Sequence, residues 1–265
     1  MGMTRTLALI TGASSGIGAA YARLLSREHD FVLVARRLDR LNELAAELRA
    51  TGAAVEVLRA DLATPGGLAR VSERLATGDV RLLISNAGAG GYARLADVDP
   101  ADVDRLLTLN AVAPARVAHA ALPGMLAANE GAIVTVASLL AFSAQVTDER
   151  IPPRALYTAA KAATVAFTRT LATELAGTSV RMQVVCPGIV ATDFDGGYGI
   201  GVPTAMSAED VAAASLSGLR SGETICVPGL EDTTAIDALA GAETALLLGG
   251  NRPTPATRYT LDTAG

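Results

Sequence analysis

The sequence predicts an α/β protein built on a doubly wound parallel sheet of seven strands, and two patterns predict it. Short apolar runs such as Phe31 to Ala35 and Ala132 to Ala137 recur along the chain, without the polar alternation of a half-exposed strand. Longer amphipathic segments separate them, so strand and helix alternate as in βαβ units whose sheet is covered on both faces. The 265 residues, 50% hydrophobic, suffice for one such domain over 1–265, and no internal repeat or linker divides them.

Thr6 to Ile10 reads as the first strand. Thr11-Gly12-Ala13-Ser14-Ser15-Gly16-Ile17-Gly18 follows at once and leads into an alanine-rich helix, Ala19 to Arg27. Glycines at a strand-to-helix turn let the backbone bend sharply and bring main-chain N–H groups to a helix N-terminus, where the dipole favours an anion such as a pyrophosphate. Phe31 to Ala35 is the second strand; Arg36-Arg37-Leu38-Asp39-Arg40 opens a helix through Arg49. After the second strand of a dinucleotide-binding sheet an acid would hold a ribose diol, whereas arginine suits a 2′-phosphate. Arg36 and Arg37 therefore favour NADP(H) over NAD(H), while Asp39, a turn further on, keeps the other cofactor in view.

Val55 to Leu58 is the third strand, closed by Asp61-Leu62, with Thr64-Pro65 starting a helix to Ala76. Arg81 to Ile84 is the fourth, ending at Ser85-Asn86-Ala87-Gly88. A long helix is expected over Pro100 to Ala128, with Asn110 and Pro114 inside it opening the hydrogen-bond ladder. Gly131 to Ala137 is the fifth strand, running into Ser138, and a helix to Ala176 carries Tyr157-Thr158-Ala159-Ala160-Lys161. Val180 to Val185 is the sixth strand, followed by Cys186-Pro187-Gly188-Ile189-Val190-Ala191-Thr192. The glycines that follow mark 193–207 as a substrate lid; then come a helix from Ala208 to Leu219, a seventh strand from Thr224 to Val227 and a helix from Thr234 to Leu248. Residues 250–265 form a Pro/Thr-rich tail open to disorder.

Composition narrows the function. A formal net charge of −5 with no basic run argues against nucleic acid and anionic membranes. No uncharged apolar stretch reaches the length of a membrane span, and the N-terminus has no signal-peptide pattern, which points to a cytoplasmic protein. Two cysteines without CxxC spacing and two histidines offer neither a disulfide framework nor a metal site.

Tyr157 and Lys161 share one helix face at i,i+4. A positive charge held within about 4–6 Å of a phenol favours the phenolate and brings a pKa of about 10 down. A tyrosine so tuned gives a proton to a carbonyl oxygen or takes one from an alcohol. An exposed i,i+4 pair is the ordinary reading of this spacing; the other motifs turn it toward catalysis.

Taken together and in order, Thr11 to Gly18, Asp61, Asn86-Ala87-Gly88, Asn110, Ser138, Tyr157 with Lys161, and Pro187-Gly188 with Thr192 resemble the classical short-chain dehydrogenase/reductase family over about residues 5 to 230. The resemblance implies a Rossmann sheet of order 3-2-1-4-5-6-7. It implies that the glycine turn (Gly12, Ser14, Ser15, Gly16, Ile17, Gly18) holds the pyrophosphate, that Asp61 with Leu62 reaches the adenine, and that Asn86 to Gly88 supports the adenosine half. Pro187, Gly188, Ile189 and Thr192 would border the nicotinamide. Tyr157 would be the general acid/base, Lys161 would bind the nicotinamide ribose and lower the phenol's pKa, Ser138 would polarise the substrate carbonyl, and Asn110 would hold a water. The expected activity is hydride transfer between NADP(H) and a carbonyl or secondary alcohol, in a homodimer or homotetramer. Retention of Tyr157 and Lys161 argues against a catalytically silent NADP(H)-binding sensor or scaffold.

Two departures stand out. Ser85 replaces the family's usual second asparagine. The step from Ser138 to Tyr157 is 19 residues where about 13 is usual in the family, the excess falling in Gln145 to Pro153, so Ser143 is a lesser candidate for the serine and the pocket wall is expected to differ. Tyr92, Phe142, Phe194 and Tyr198 are candidate pocket residues.

Overall fold

A computed structural model describes residues 5–149 and 151–259. The strands are β1 (Thr6–Thr11), β2 (His29–Ala35), β3 (Val55–Arg59), β4 (Val80–Ser85), β5 (Gly131–Val136), β6 (Val180–Val185) and β7 (Ile225–Cys226). They form one parallel sheet in the order β3-β2-β1-β4-β5-β6-β7. The apolar runs work as predicted, because alternate residues of each strand enter different layers. Ala8, Ile10, Phe31, Leu33 and Val134 pack with helices α1 (Gly16–Leu25), α2 (Leu38–Ala50) and α7 (Ala208–Arg220) on one face. Leu9, Val32, Leu83 and Ile133 pack with α3 (Pro65–Leu75), α5 (Ala113–Ala128) and α6 (Ala155–Glu174) on the other. Both faces are dry, and that leaves the carboxyl ends of the strands as the place for a ligand.

Helix starts follow local chemistry. The Thr64 hydroxyl accepts from Gly67 N at 3.1 Å with Pro65 in the first turn of α3, and the Ser207 hydroxyl accepts from Asp210 N at 3.0 Å at the start of α7. The expected long helix opens where its sequence said it would. It divides into α4 (Pro100–Leu107) and α5, joined by a wider π turn over Thr108–Val112. There the Asn110 amide donates to Leu106 O at 3.1 Å, and Pro114 has no N–H for the ladder.

Two compact units divide the chain, Met1–Pro228 and Gly229–Gly265. The first holds the whole sheet. The second contains α8 (Thr234–Gly250), none of whose side chains is buried, and a single turn at Thr257–Tyr259. Of the tail foreseen for 250–265, residues 260–265 lie outside the described residues. Among the described residues no helix is long and apolar enough to cross a membrane.

Candidate active site

The glycine turn is shaped by the chain packed against it. Gly12 and Gly16 have φ of +69° and +54°, the left-handed region that disfavours side chains. A Cβ at Gly12 would come within 2.7 Å of Asn86 Nδ2, and one at Gly18 within 2.5 Å of Gly12 O, so the start of α1 is pressed against the turn. Asn86 N and Ala87 N each donate to the Thr11 hydroxyl at 3.0 Å, and Asn86 Nδ2 donates to Thr11 O at 3.0 Å. The segment after β4 is thereby tied to the segment after β1. No side chain caps α1 and its first turn carries no acid, which leaves main-chain N–H groups for an anion.

A cleft of about 610 Å³ runs from this turn along the carboxyl edge of the sheet. It is lined by Gly12, Ser14, Ser15, Gly16, Ile17, Arg36, Arg37, Asp61, Leu62, Asn86, Ala87, Gly88, Ser138, Tyr157, Lys161, Pro187, Gly188, Ile189 and Thr192. Of the residues singled out in the sequence, Gly18 and Asn110 stand behind it: Gly18 seats α1, and Asn110 is buried in the π turn. At the end near β2, Arg37 donates to the Ser14 hydroxyl at 3.0 and 3.2 Å and to the Ser15 hydroxyl at 2.5 Å. Arg36 lies 4.0 Å from Asp61, whose other oxygen accepts from Ala63 N at 3.0 Å. The donor set of a helix N-terminus, two guanidinium groups and uncharged glycine backbone fits a phosphorylated dinucleotide.

At the opposite end Tyr157, Lys161 and Ser138 are all buried and come together. Ser138 follows β5 directly; its hydroxyl accepts from Leu140 N at 3.1 Å and stands beside the Tyr157 phenol, which it can hydrogen-bond. The alternative serine is used otherwise. The Ser143 hydroxyl donates to Leu140 O at 2.8 Å and receives Arg154 Nε at 2.8 Å, and it does not line the cleft. Arg154 also binds Pro152 O, Ser143 O and Val146 O, so one guanidinium organises the extra residues, and Ile151 and Pro152 reach the cleft wall.

Lys161 Nζ lies 5.7 Å from the centroid of the Tyr157 ring and donates to Val136 O at 2.9 Å. Its ammonium is pulled down to about 8 by burial. The phenol behaves differently from the expectation that Lys161 lowers it. Burial, and then the neighbouring Tyr92, push Tyr157 well above the usual tyrosine value, and the Ser138 hydrogen bond offsets only part of this. Desolvation of the phenol is the largest cause, and Lys161 is not among the groups that shift it. Asn110 and Gly88 complete the floor. The Asn110 side chain accepts from Ala89 N at 3.2 Å and donates to Ala89 O at 3.0 Å and Leu106 O at 3.1 Å, which leaves one Oδ1 lone pair. A Cβ on Gly88 would sit 2.9 Å from Asn110 Oδ1 and 3.3 Å from Lys161 Nζ.

Tyr92, Phe194 and Tyr198 line the cleft as anticipated, whereas Phe142 does not; its ring is on the exposed turn Leu139–Phe142. Asp193 and Asp195 were not singled out in the sequence. Asp193 pairs with Arg40 at 2.7 Å, and Asp195 lines the cleft beside the rings. Cys186 and Cys226 are buried free thiols, pushed up to about 12 and about 11 by burial, which suits packing and not reaction.

Known proteins share both sequence and fold with this chain. The family described as short chain dehydrogenase matches residues 6–199. A short-chain dehydrogenase from Sphingobium yanoikuyae, solved in complex with NADPH, is 36% identical, with a TM-score of 0.89 over 96% of this chain and 100% of its own. The bulky-bulky ketone specific alcohol dehydrogenase of Comamonas testosteroni is 31% identical, with a TM-score of 0.87 over 97% of this chain and 99% of its own. The 1-deoxy-11-beta-hydroxypentalenate dehydrogenase of Streptomyces exfoliatus is 36% identical over 228 residues, 81% of this chain and 79% of that one. With its glycine turn, seven-stranded sheet and tyrosine–lysine–serine cluster, the chain belongs to the short-chain dehydrogenase/reductase family, NAD(P)-dependent oxidoreductases acting on CH–OH groups.

Proposed function

We propose that this protein is an NADP(H)-dependent carbonyl reductase or secondary alcohol dehydrogenase in which Tyr157 is the general acid/base. The observation that carries this reading is the meeting of Tyr157, Ser138 and Lys161 in a single cleft that extends to the Gly12–Gly18 turn. A bound nicotinamide supplies or accepts the hydride. In reduction, the Ser138 hydroxyl donates to the carbonyl oxygen and orients it. Tyr157 gives its proton to that oxygen as the hydride adds to carbon, and a proton from solvent restores the phenol. A phenol held protonated by burial enters this direction in the required form. Lys161, anchored on Val136 O in the same cleft, would hold the nicotinamide ribose. For the cofactor, the support is Arg37 gathered with Ser14 and Ser15, Arg36 beside Asp61, and the lack of an acid directly after β2. The Sphingobium relative with NADPH agrees with this. Residues 193–207 act as a lid: Arg40 holds their start at Asp193, Met206 bridges to Val190 at their end, and Asp195, Gly196, Gly197 and Gly201 turn the chain through the left-handed region between.

Tyr157→Phe tests the reading. Turnover should fall about 10²–10⁴-fold, the usual worth of a positioned acid/base, while NADPH titration by fluorescence stays near wild type. Unchanged turnover refutes the role of Tyr157. NADPH binding without turnover by the wild type across a broad panel of ketones and alcohols supports the silent-sensor reading instead.

A further inference from the structure

The far end of the cleft is built from rings. The chain has five tyrosines, four phenylalanines and no tryptophan, and four of these nine rings, Tyr92, Tyr157, Phe194 and Tyr198, line this one cavity. Tyr92 stands edge-on to Tyr157 with centroids 5.1 Å apart and lies 6.3 Å from Tyr198, while Phe194 is 6.4 Å from Tyr157. Tilts of 55° to 68° keep the rings from stacking flat on one another, and all four line the cavity. Phe194 and Tyr198 are 38% and 52% exposed, unlike the core rings Tyr21 and Phe31.

A carboxylate stands among them. Asp195 lies between Phe194 and Tyr198 in the chain, lines the cavity, and has φ +51°, a conformation that costs a side-chain-bearing residue energy unless its surroundings hold it there. Its Oδ1 accepts only a long 3.4 Å bond from Gly91 N, and any Cβ at Gly90 would collide with the carboxylate. Among the described residues no cation pairs with it: Arg40 is taken by Asp193, Arg36 lies at Asp61, and Lys161 is buried on Val136 O. Tyr92 and Tyr157 both feel its negative charge. Tyrosine and phenylalanine faces attract cations, and a cage of rings beside an unpaired carboxylate is the chemistry that selects an alkylated ammonium. Asp195 is exposed, so the discrimination comes from charge: a neutral group would fill the rings without gaining the carboxylate as a partner, and an anion would be repelled by it.

We propose that the substrate end of this cleft selects carbonyl or alcohol compounds that carry a cationic nitrogen, held by Tyr92, Phe194, Tyr198 and Asp195. The proposal rests on the oxidoreductase reading above and adds the substrate class to it. The test compares three ketones with NADPH: acetone bearing a trimethylammonium group, its isostere bearing tert-butyl, and a keto acid of the same length. The expected order of kcat/KM is cation, neutral, anion, with the first about 10-fold or more above the second. Asp195→Asn, which keeps the shape and tolerates the left-handed backbone, should bring the cation-to-neutral ratio toward one, as should Tyr198→Leu. Reduction of the tert-butyl ketone as efficiently as the cation by the wild type, or an unchanged ratio in Asp195→Asn, overturns the substrate class and leaves the oxidoreductase reading intact. Failure to reduce any of the three, or to oxidise the corresponding alcohols, overturns both.

Discussion

Replacing Lys161 by methionine should expose how much stability the site gives up for function. The side chain is buried and makes one hydrogen bond, to Val136 O, and burial draws its pKa from 10.5 to about 8. Below pH 8 both folded and unfolded chains carry the proton, and the folded chain bears the full cost of a desolvated charge. Between about 8 and 10.5 the folded chain gives up its proton before the unfolded chain does, so stability at this site rises with pH; above that range the cost is gone. At about 1.4 kcal/mol per pH unit the interval is worth about 3 kcal/mol, most of it recovered between roughly pH 7 and 10. Methionine has similar reach and no charge. Its loss of the bond to Val136 O adds an offset that does not vary with pH, so the change in the difference is the readout. Urea melts of both proteins at several pH values should show the stability of Lys161→Met relative to wild type falling by about 2–3 kcal/mol from pH 7 to pH 10. Turnover should be lost at every pH. A difference that stays flat with pH, or grows, refutes the claim that Lys161 is a costly buried ammonium.

Other perturbations separate the roles of neighbouring residues. Arg37→Ala removes the guanidinium next to Ser14 and Ser15 and should weaken NADPH by about 10–100-fold, the worth of one charge-assisted phosphate contact, with little effect on NADH; equal losses by titration would count against a 2′-phosphate site. Gly88→Ala inserts a methyl between Asn110 and Lys161, so kcat should drop about 10-fold or more and one of those hydrogen bonds should loosen, costing about 1–3 kcal/mol in a urea melt. Ser138→Ala should lower kcat by about 10-fold or more, with a stability loss of about 1 kcal/mol for the lost bond from Leu140 N, whereas Ser143→Ala, which strips a partner from Arg154, should lower stability and spare kcat; loss of kcat in Ser143→Ala but not in Ser138→Ala would make Ser143 the functional serine.

The sequence by itself determined the sheet, its helices and the chain order of the site. Continuous burial of strands such as Phe31 to Ala35, glycines where φ turns positive, and a helix bearing Tyr157 and Lys161 are local or periodic properties, and local properties are written in local sequence. Even the interruption at Asn110 was legible, since its side chain competes with the ladder of its own helix. Ser138 stands ahead of Ser143 already from its place at the end of the fifth strand; only tertiary structure showed what occupies Ser143, because Arg154 reaches back to it across the extra residues. Tertiary structure also decided the electrostatics: whether Lys161 lowers the phenol depends on how dry both groups are, and desolvation is set by everything packed around them. The setting of Asp195 among Tyr92, Phe194 and Tyr198 belongs to the same class. Gly91 and Asp195 are 104 residues apart in the chain, and only the docking of two loops over the sheet edge puts the carboxylate beside the rings.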